Sequence, residues 1–430
     1  MKDIDLTIDT LSTQAEGIGR VDGKAVFVPF TLPQESWRVS IIDQKKNYDR
    51  ALPLQAYGDS LNAHPARVAP SCPYYGECGG CQLQHVSYEQ QLEWKRQWLV
   101  ETFRRVGRID VECETIVASP PWEYRNKLTL PLRRIDGKVA LYYHRIYQPA
   151  KHIPVMDCAI AHAKIRAALK PLSEALDDCQ AILPPPDKDG AHQACAVFRM
   201  IDGALHVELS DVRIPKALLS NLVFCLITAE TSIDVLHYHP ETSDPAKVFS
   251  RDEVNHAKPK DVFRQINPSV REALYHYVLE LPFQSKRSLL DGYCGVGELT
   301  RMLTRKFDYV VGVEINADAV EIAREESKDE AARLQFLSQP LEAFVKRNSS
   351  GFDAMVLNPP RDGLSKPVRR ALSQFGSNDV ALISCHPAAL ARDVNVFLDA
   401  GYSIQSLQAF DMFPQTYHLE AAIHLQKNSQ

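Results

Sequence analysis

"SLLDGYCGVGELT", residues 288–300, passes from an apolar run through a glycine-rich turn into helix-forming residues. The apolar residues read as a short strand. Gly295 and Gly297 permit a tight turn and a close approach of backbone to a ligand. "ELTRMLTRKF" then opens an amphipathic helix. A second apolar run, "YVVGVEIN", ends at Glu314. An acidic residue about twenty positions after such a turn is placed to accept hydrogen bonds from ribose hydroxyls. The third glycine of a dinucleotide fingerprint, GxGxxG, is missing. Outward from this stretch the alternation continues through "ADAVEIAREESKDEAA", "FDAMVLNPP", "PVRRALSQF", "DVALISCHP" and "ALARDVNVFLDAG". Short apolar strands separated by amphipathic helices predict an α/β fold from residue 256 to 430, a doubly wound sheet with its ligand at the carboxyl ends of the strands.

Two further strand ends carry chemistry. In "VLNPPRDGL" two prolines directly follow a strand, where they neither extend a ladder nor sit inside a helix. They stiffen the loop that carries Asn358. In "LISCHP", Cys385 lies where the chain leaves a strand, and a proline fixes the turn. A free cysteine is commonly a buried small hydrophobe. At the ligand edge of this sheet the nucleophile is the stronger reading.

At 430 residues the chain is long enough for two or three domains, and its 45% hydrophobic and 24% charged residues are ordinary for a globular protein. No apolar run approaches the ~20 residues of a spanning helix. The opening "MKDIDLTIDTLSTQAEG" has no signal-peptide core. A cytoplasmic protein with no membrane partner is expected. The ten cysteines are then metal ligands, catalytic groups or packing residues rather than disulfides. A net charge of −5 excludes a surface coated in basic groups, though not a local strip. "FRRVGR" and "YRNKLTLPLRR" set basic residues beside aromatics, which suits phosphates and bases, a solvated face being the plain alternative.

Residues 1–56 alternate apolar and polar, with Asp22-Gly23 as a hairpin turn, and predict a small β-barrel. Residues 57–255 mix strand and helix patterns, with a breaker at "LPPPDKDG". Inside this region "SCPYYGECGGCQLQH", 71–85, places Cys72, Cys78 and Cys81 within ten positions. Clustered thiolates suit zinc or an iron–sulfur cluster, and spacing alone leaves both open. Cys113, Cys179, Cys195 and Cys225 stand alone and read as packing residues.

Taken together, these stretches resemble the RNA 5-methyluridine (uracil-C5) methyltransferase family over nearly the whole chain. "AEGIGRVDGKAVFVPFTLPQE" resembles a TRAM domain, an RNA-binding β-barrel of OB-like character. "CPYYGECGGCQLQHVSYEQQLEWKR" resembles the family's iron–sulfur segment and "YRNKLTLPL" the start of its central domain. "FRQINP", "DGYCGVGELT", "SCHPAALARD" and "FPQTYHLEAAIHL" resemble its methyltransferase motifs, in the right order. The Asp291-x-x-x-Gly295-x-Gly297 spacing looks like the adenosylmethionine loop of Rossmann-like methyltransferases. The resemblance implies three domains: a TRAM-like barrel (1–56), a central α+β domain (57–255) and a Rossmann-like class I methyltransferase domain (256–430).

It also implies residue roles. Cys158, in "IPVMDC", becomes the fourth ligand of a [4Fe–4S] cluster with Cys72, Cys78 and Cys81. Gln265, Tyr293, Glu298, Glu314 and Asn358 contact S-adenosyl-L-methionine. Asp291 supports the loop, and Phe263 stacks on a base. Cys385 is the nucleophile that adds to uracil C6, and Glu420, in "YHLEAA", is the base that removes the C5 proton. The target uridine must leave its stack to be reached. The expected partner is RNA, 23S ribosomal RNA by analogy, with transfer RNA the alternative, and the chain is expected to act as a monomer.

Three positions depart from the family pattern. Asn358 stands where Asp is usual, His386 where Asn is usual, and Glu298 where Asn is favoured. RNA 5-methylcytidine enzymes carry a cysteine within the Pro-Pro motif, where this chain has Arg361. Adenine N6-methyltransferases follow Asn-Pro-Pro with an aromatic and use no cysteine. A non-catalytic RNA-binding factor on the same scaffold is the reading from another class.

Overall fold

The structure is a computed structural model that describes residues 2–57, 64–184, 193–227, 232–240, 247–251, 262, 264–330, 332–348 and 351–428. Phe263 and the expected boundary at 255/256 lie outside the described residues. The chain divides into two compact units. The first comprises Met1–Gln91, Pro120–Pro259 and Pro414–Tyr417, and the second Leu92–Ser119, Lys260–Phe413 and His418–Gln430. The barrel and the central region thus fall in one unit. The stretch from Leu92 to Ser119, read from sequence as central, groups with the C-terminal sheet.

In the first unit β1 (Lys2–Thr7), β2 (Thr10–Leu11), β3 (Glu16–Val21), β4 (Lys24–Pro29), β5 (Ser36–Gln44) and β6 (Tyr48–Ala56) form one sheet in the order β1-β5-β6-β4-β3-β2. Val21 pairs with Lys24 across Asp22-Gly23, both with positive φ, as a two-residue hairpin with the sheet's twist requires. Inward-facing Val26, Val28, Val39 and Ile41 make the core.

A short strand, β7 (Ile116–Val117), belongs to the second unit. The first unit then resumes with β8 (Lys127–Ile135), β9 (Lys138–Arg145), β10 (Gln148–Pro154), β11 (Cys195–Ile201), β12 (Ala204–Ser210), β13 (Val235–His239) and β14 (Lys247–Ser250). Their order is β10-β9-β8-β11-β12-β13-β14. Helix Ala163–Asp178 turns Ile165, Leu169, Leu172 and Leu176 onto this sheet, the spacing of one helical face. Among the lone cysteines Cys113 and Cys179 are buried as expected. Cys225 is exposed, at the outer side of helix Lys216–Ile227, and is not a packing residue.

The second unit carries the doubly wound sheet. Its strands are β15 (Ser288–Gly292), β16 (Tyr309–Glu314), β17 (Leu334–Ser338), β18 (Ala354–Leu357), β19 (Asp379–Ser384), β20 (Tyr402–Phe410) and β21 (Glu420–Lys427). The order is β17-β16-β15-β18-β19-β21-β20-β7. Strands β15 to β19 are parallel, and β21 runs antiparallel between β19 and β20. Their nearly continuous Val, Ile and Leu content follows from burial on both faces. Order reverses between β15 and β18, and that switch point is where open α/β sheets bind ligands. Among the described residues no helix is long and apolar enough to cross a membrane.

Candidate active site

The turn from β15 into helix Glu298–Leu303 stands at the switch point. Tyr293, Gly295 and Gly297 have φ of +63°, +56° and +73°. Tyr293 is held in that sparsely populated region by amide hydrogen bonds, from Tyr293 and Cys294 to the Val313 carbonyl, at 2.9 and 3.2 Å. Only glycine fits at 297, because a Cβ there would meet the Phe336 ring at 2.5 Å. The Glu314 carboxylate accepts from the backbone N–H of Gly295 at 3.1 Å and of Asn316 at 2.9 Å. It therefore holds the turn from the neighbouring strand. Beneath the turn, buried Asp291 accepts from the Thr300 hydroxyl at 2.6 Å. Burial, then the Glu314 charge, pushes its carboxyl up to about 7.

The other expected cofactor residues divide. Asn358 sits at the tip of β18, its N–H on the Gly292 carbonyl at 3.3 Å, beside the turn. Gln265 is buried nearby in sequence to Arg264. Glu298 points to two arginines, Arg264 at 2.5 Å and Arg271 at 3.2 Å. Arg264 also reaches Glu326, which pairs with Arg301. The structure thus engages Glu298 in a charge network, where the Asn favoured by the family pattern would form no ion pair.

Cys385 follows β19, two strands along from the glycine turn. In the β19–β21 ladder Ser384 is paired with Ala421, so one further step sets Cys385 opposite Glu420. Glu420 also closes the β20–β21 ladder opposite Phe410. Residues far apart in sequence are brought together by that register. The thiol is half-buried. Burial and the facing Glu420 push it up to about 11, while exposed Arg361 pulls it down. Glu420 is 2% exposed, and burial pushes its carboxyl up to about 8. His418 is driven down to about 4 by burial and by Arg361, Lys95 and His386. His386 is lowered by burial and by Arg361 and Arg392. Both imidazoles are therefore neutral at neutral pH. A carboxyl that titrates near neutrality beside a thiol pairs a nucleophile with a general base. Sequence reading used Arg361 only to exclude other enzymes. Its charge on the Cys385 thiol becomes visible only in the structure.

The cysteine set lies in the first unit. Cys72, Cys78, Cys81 and Cys158 line one cavity of about 130 Å³, with Arg125 and Tyr143 in its wall. Burial pushes Cys78 up to about 11 and Cys81 up to about 12, and raises Cys158. Such thiols stay neutral unless a cation draws off their protons. Among the described residues no three metal-binding side chains converge as a single ion requires. Thiolates around one zinc ion, each about 2.3 Å from it, would crowd within about 4 Å of one another.

Residues 242–428 match the family model for tRNA (Uracil-5-)-methyltransferase, and residues 2–53 match the TRAM domain. Over 438 residues the chain is 32% identical to a 23S rRNA (uracil(1939)-C(5))-methyltransferase, RlmD, of Klebsiella pneumoniae, covering 98% of this chain and 95% of that one. It is 31% identical over 454 residues to an uncharacterized RNA methyltransferase of Listeria monocytogenes, covering 99% and 98%. Its fold is similar to that of the Pyrococcus abyssi tRNA (uracil-54, C5)-methyltransferase solved with S-adenosyl-L-homocysteine, with a TM-score of 0.73 at 24% identity over 98% of this chain and 99% of that one. The doubly wound sheet, the glycine turn at its switch point and these whole-length matches agree: the chain is an enzyme of the RNA uracil-C5 methyltransferase family.

Proposed function

We propose that the protein methylates C5 of a uridine in 23S ribosomal RNA, with Cys385 as nucleophile, Glu420 as general base and S-adenosyl-L-methionine as methyl donor. The observation that carries this reading is the β19–β21 register, which sets a half-buried thiol against a buried carboxyl titrating near 8. The donor lies against the turn at Tyr293, Gly295 and Gly297, with Glu314 and Asn358 at the flanking strand ends. Gln265 lies in the segment leading into the following helix. Whole-length identity to RlmD relatives supports ribosomal RNA. Mapping 5-methyluridine in ribosomal and transfer RNA, with and without the gene, tests this. Loss of one 23S site is expected. Loss confined to transfer RNA would move the substrate, and no loss would remove the activity.

We infer that Cys72, Cys78, Cys81 and Cys158 hold a [4Fe–4S] cluster, as the family resemblance implies; what supports this is that all four thiols line one cavity. Bound there, the cluster would cross-link the 72–81 loop to the segment at Cys158 that follows β10. Protein purified without oxygen is expected to be brown and to hold iron and acid-labile sulfide. Cys158→Ser and Cys81→Ser are each expected to lose the iron. Stoichiometric zinc without iron by elemental analysis would overturn the assignment.

A further inference from the structure

Lys95 and Asp411 are both fully buried, with Nζ and Oδ1 2.6 Å apart. Lys95 Nζ donates a second hydrogen bond, of 3.0 Å, to the Phe413 carbonyl. Asp411 directly follows Phe410, the cross-strand partner of Glu420, and its own N–H is held by the Val117 carbonyl at 2.9 Å. Asn267 holds the Met412 carbonyl at 3.3 Å. One ammonium, 316 residues away in sequence, therefore fixes the turn that leaves β20 at the end of the ladder where Glu420 sits. Stability alone does not account for such a pair. Desolvating two charges is costly, and apolar replacements of similar volume are commonly neutral or stabilising. What a buried pair can supply is register, and in this placement of the turn the ammonium meets both the Asp411 carboxylate and the Phe413 carbonyl.

We propose that Lys95 and Asp411 are positioning residues for the general base, locking the turn after Phe410 so that Glu420 faces Cys385. The proposal rests on the reading of Glu420 as the base. Among the described residues, His418 feels the Lys95 charge, together with those of Arg361 and His386.

The test is the double variant Lys95→Met with Asp411→Leu in the full-length protein. It is expected to fold, to melt at or above the wild-type temperature, and to bind adenosylmethionine within twofold. Its kcat should fall about 10- to 100-fold with the RNA KM unchanged, because small misplacements of a catalytic group cost that much. In the free protein at pH 8, iodoacetamide should alkylate Cys385 about three to ten times faster, since the thiol no longer faces the carboxyl. A folded double variant with wild-type kcat and alkylation rate overturns the proposal. If the double variant does not fold, Asp411→Asn, which keeps an acceptor for Lys95, is expected to shift both readouts in the same direction, and wild-type values there overturn the proposal equally. Glu420→Gln is run in parallel. Should it turn over normally, Glu420 is not the base, and alkylation alone decides. A faster rate keeps the pair as what sets the Cys385–Glu420 geometry, and an unchanged rate removes it.

Discussion

Cys385→Ala is expected to lower methyl transfer by at least about 10⁴-fold, while adenosylmethionine affinity stays within twofold. Uracil C5 is too weak a nucleophile to take a methyl group from a sulfonium unaided. Addition of the Cys385 thiolate to C6 forms an S–C6 bond and pushes the C5=C6 electron pair toward O4. C5 then carries the electrons that attack the methyl group, and adenosylhomocysteine leaves. Alanine closes that path. It costs no donor contact, because the glycine turn follows β15 and Cys385 follows β19, with β18 between them. Two strand spacings are about 10 Å, which leaves room for a methyl group and a pyrimidine ring. The resting thiol is protonated, since burial and Glu420 push it up to about 11. Arg361 acts in the opposite direction, so Arg361→Gln should slow alkylation of Cys385 as well as turnover. Transfer of labelled methyl groups and calorimetric titration of the donor separate the two functions. Wild-type turnover by Cys385→Ala would remove covalent catalysis.

The parallel half of the sheet was legible because its signals are local. The β15 and β16 strands, the glycine turn and Glu314 lie within about thirty consecutive residues, and each announces itself by apolar runs and by the glycines that a left-handed turn demands. The antiparallel end was not read as strands. "YSIQSLQAF" and "EAAIHLQK" became β20 and β21, and nothing in their composition says that the last strand inserts between β19 and β20. That insertion is what brings Glu420 to Cys385, so the motif resemblance named the two residues without showing why they meet. Lys95 was missed for a related reason. In sequence it is one of two adjacent cations in helix Tyr88–Thr102, which also carries Glu89, Glu93 and Glu101, and only burial against Asp411 distinguishes it. For Glu298 the resemblance named a cofactor contact, and the structure adds what the sequence did not show, ion pairs of its carboxylate with Arg264 and Arg271. Cys158 lies far along the chain from Cys81, and the cavity the four cysteines share is a property of the fold and not of their spacing.

Glu420→Gln is expected to trap the enzyme on its RNA. After methylation C5 carries both a methyl group and a proton, and the adduct resolves only when a base takes that proton. The C5–H electron pair then re-forms C5=C6 and expels the thiolate. An amide is a far poorer base than a carboxylate, so resolution should slow by about 10²–10⁴-fold while addition and methyl transfer proceed. A covalent protein–RNA complex should therefore survive denaturing electrophoresis and require both adenosylmethionine and Cys385. Tritium at C5 of the target uridine should stay in the complex and be released by wild type. The sign of the pH dependence follows from the buried carboxyl. Its pKa is raised to about 8, so the proton-accepting form is a minority at neutral pH. From the methylated adduct already formed, where Cys385 is bonded to C6 and no longer titrates, a pH jump should make wild-type tritium release climb with pH, close to tenfold per unit well below 8, and level off above it. Glu420→Gln should lose that inflection. His418, held down to about 4, is already neutral across this range and cannot supply the same profile. Rapid tritium release by Glu420→Gln with the inflection near 8 retained would assign the proton to another group, and an inflection near 4 would point to His418.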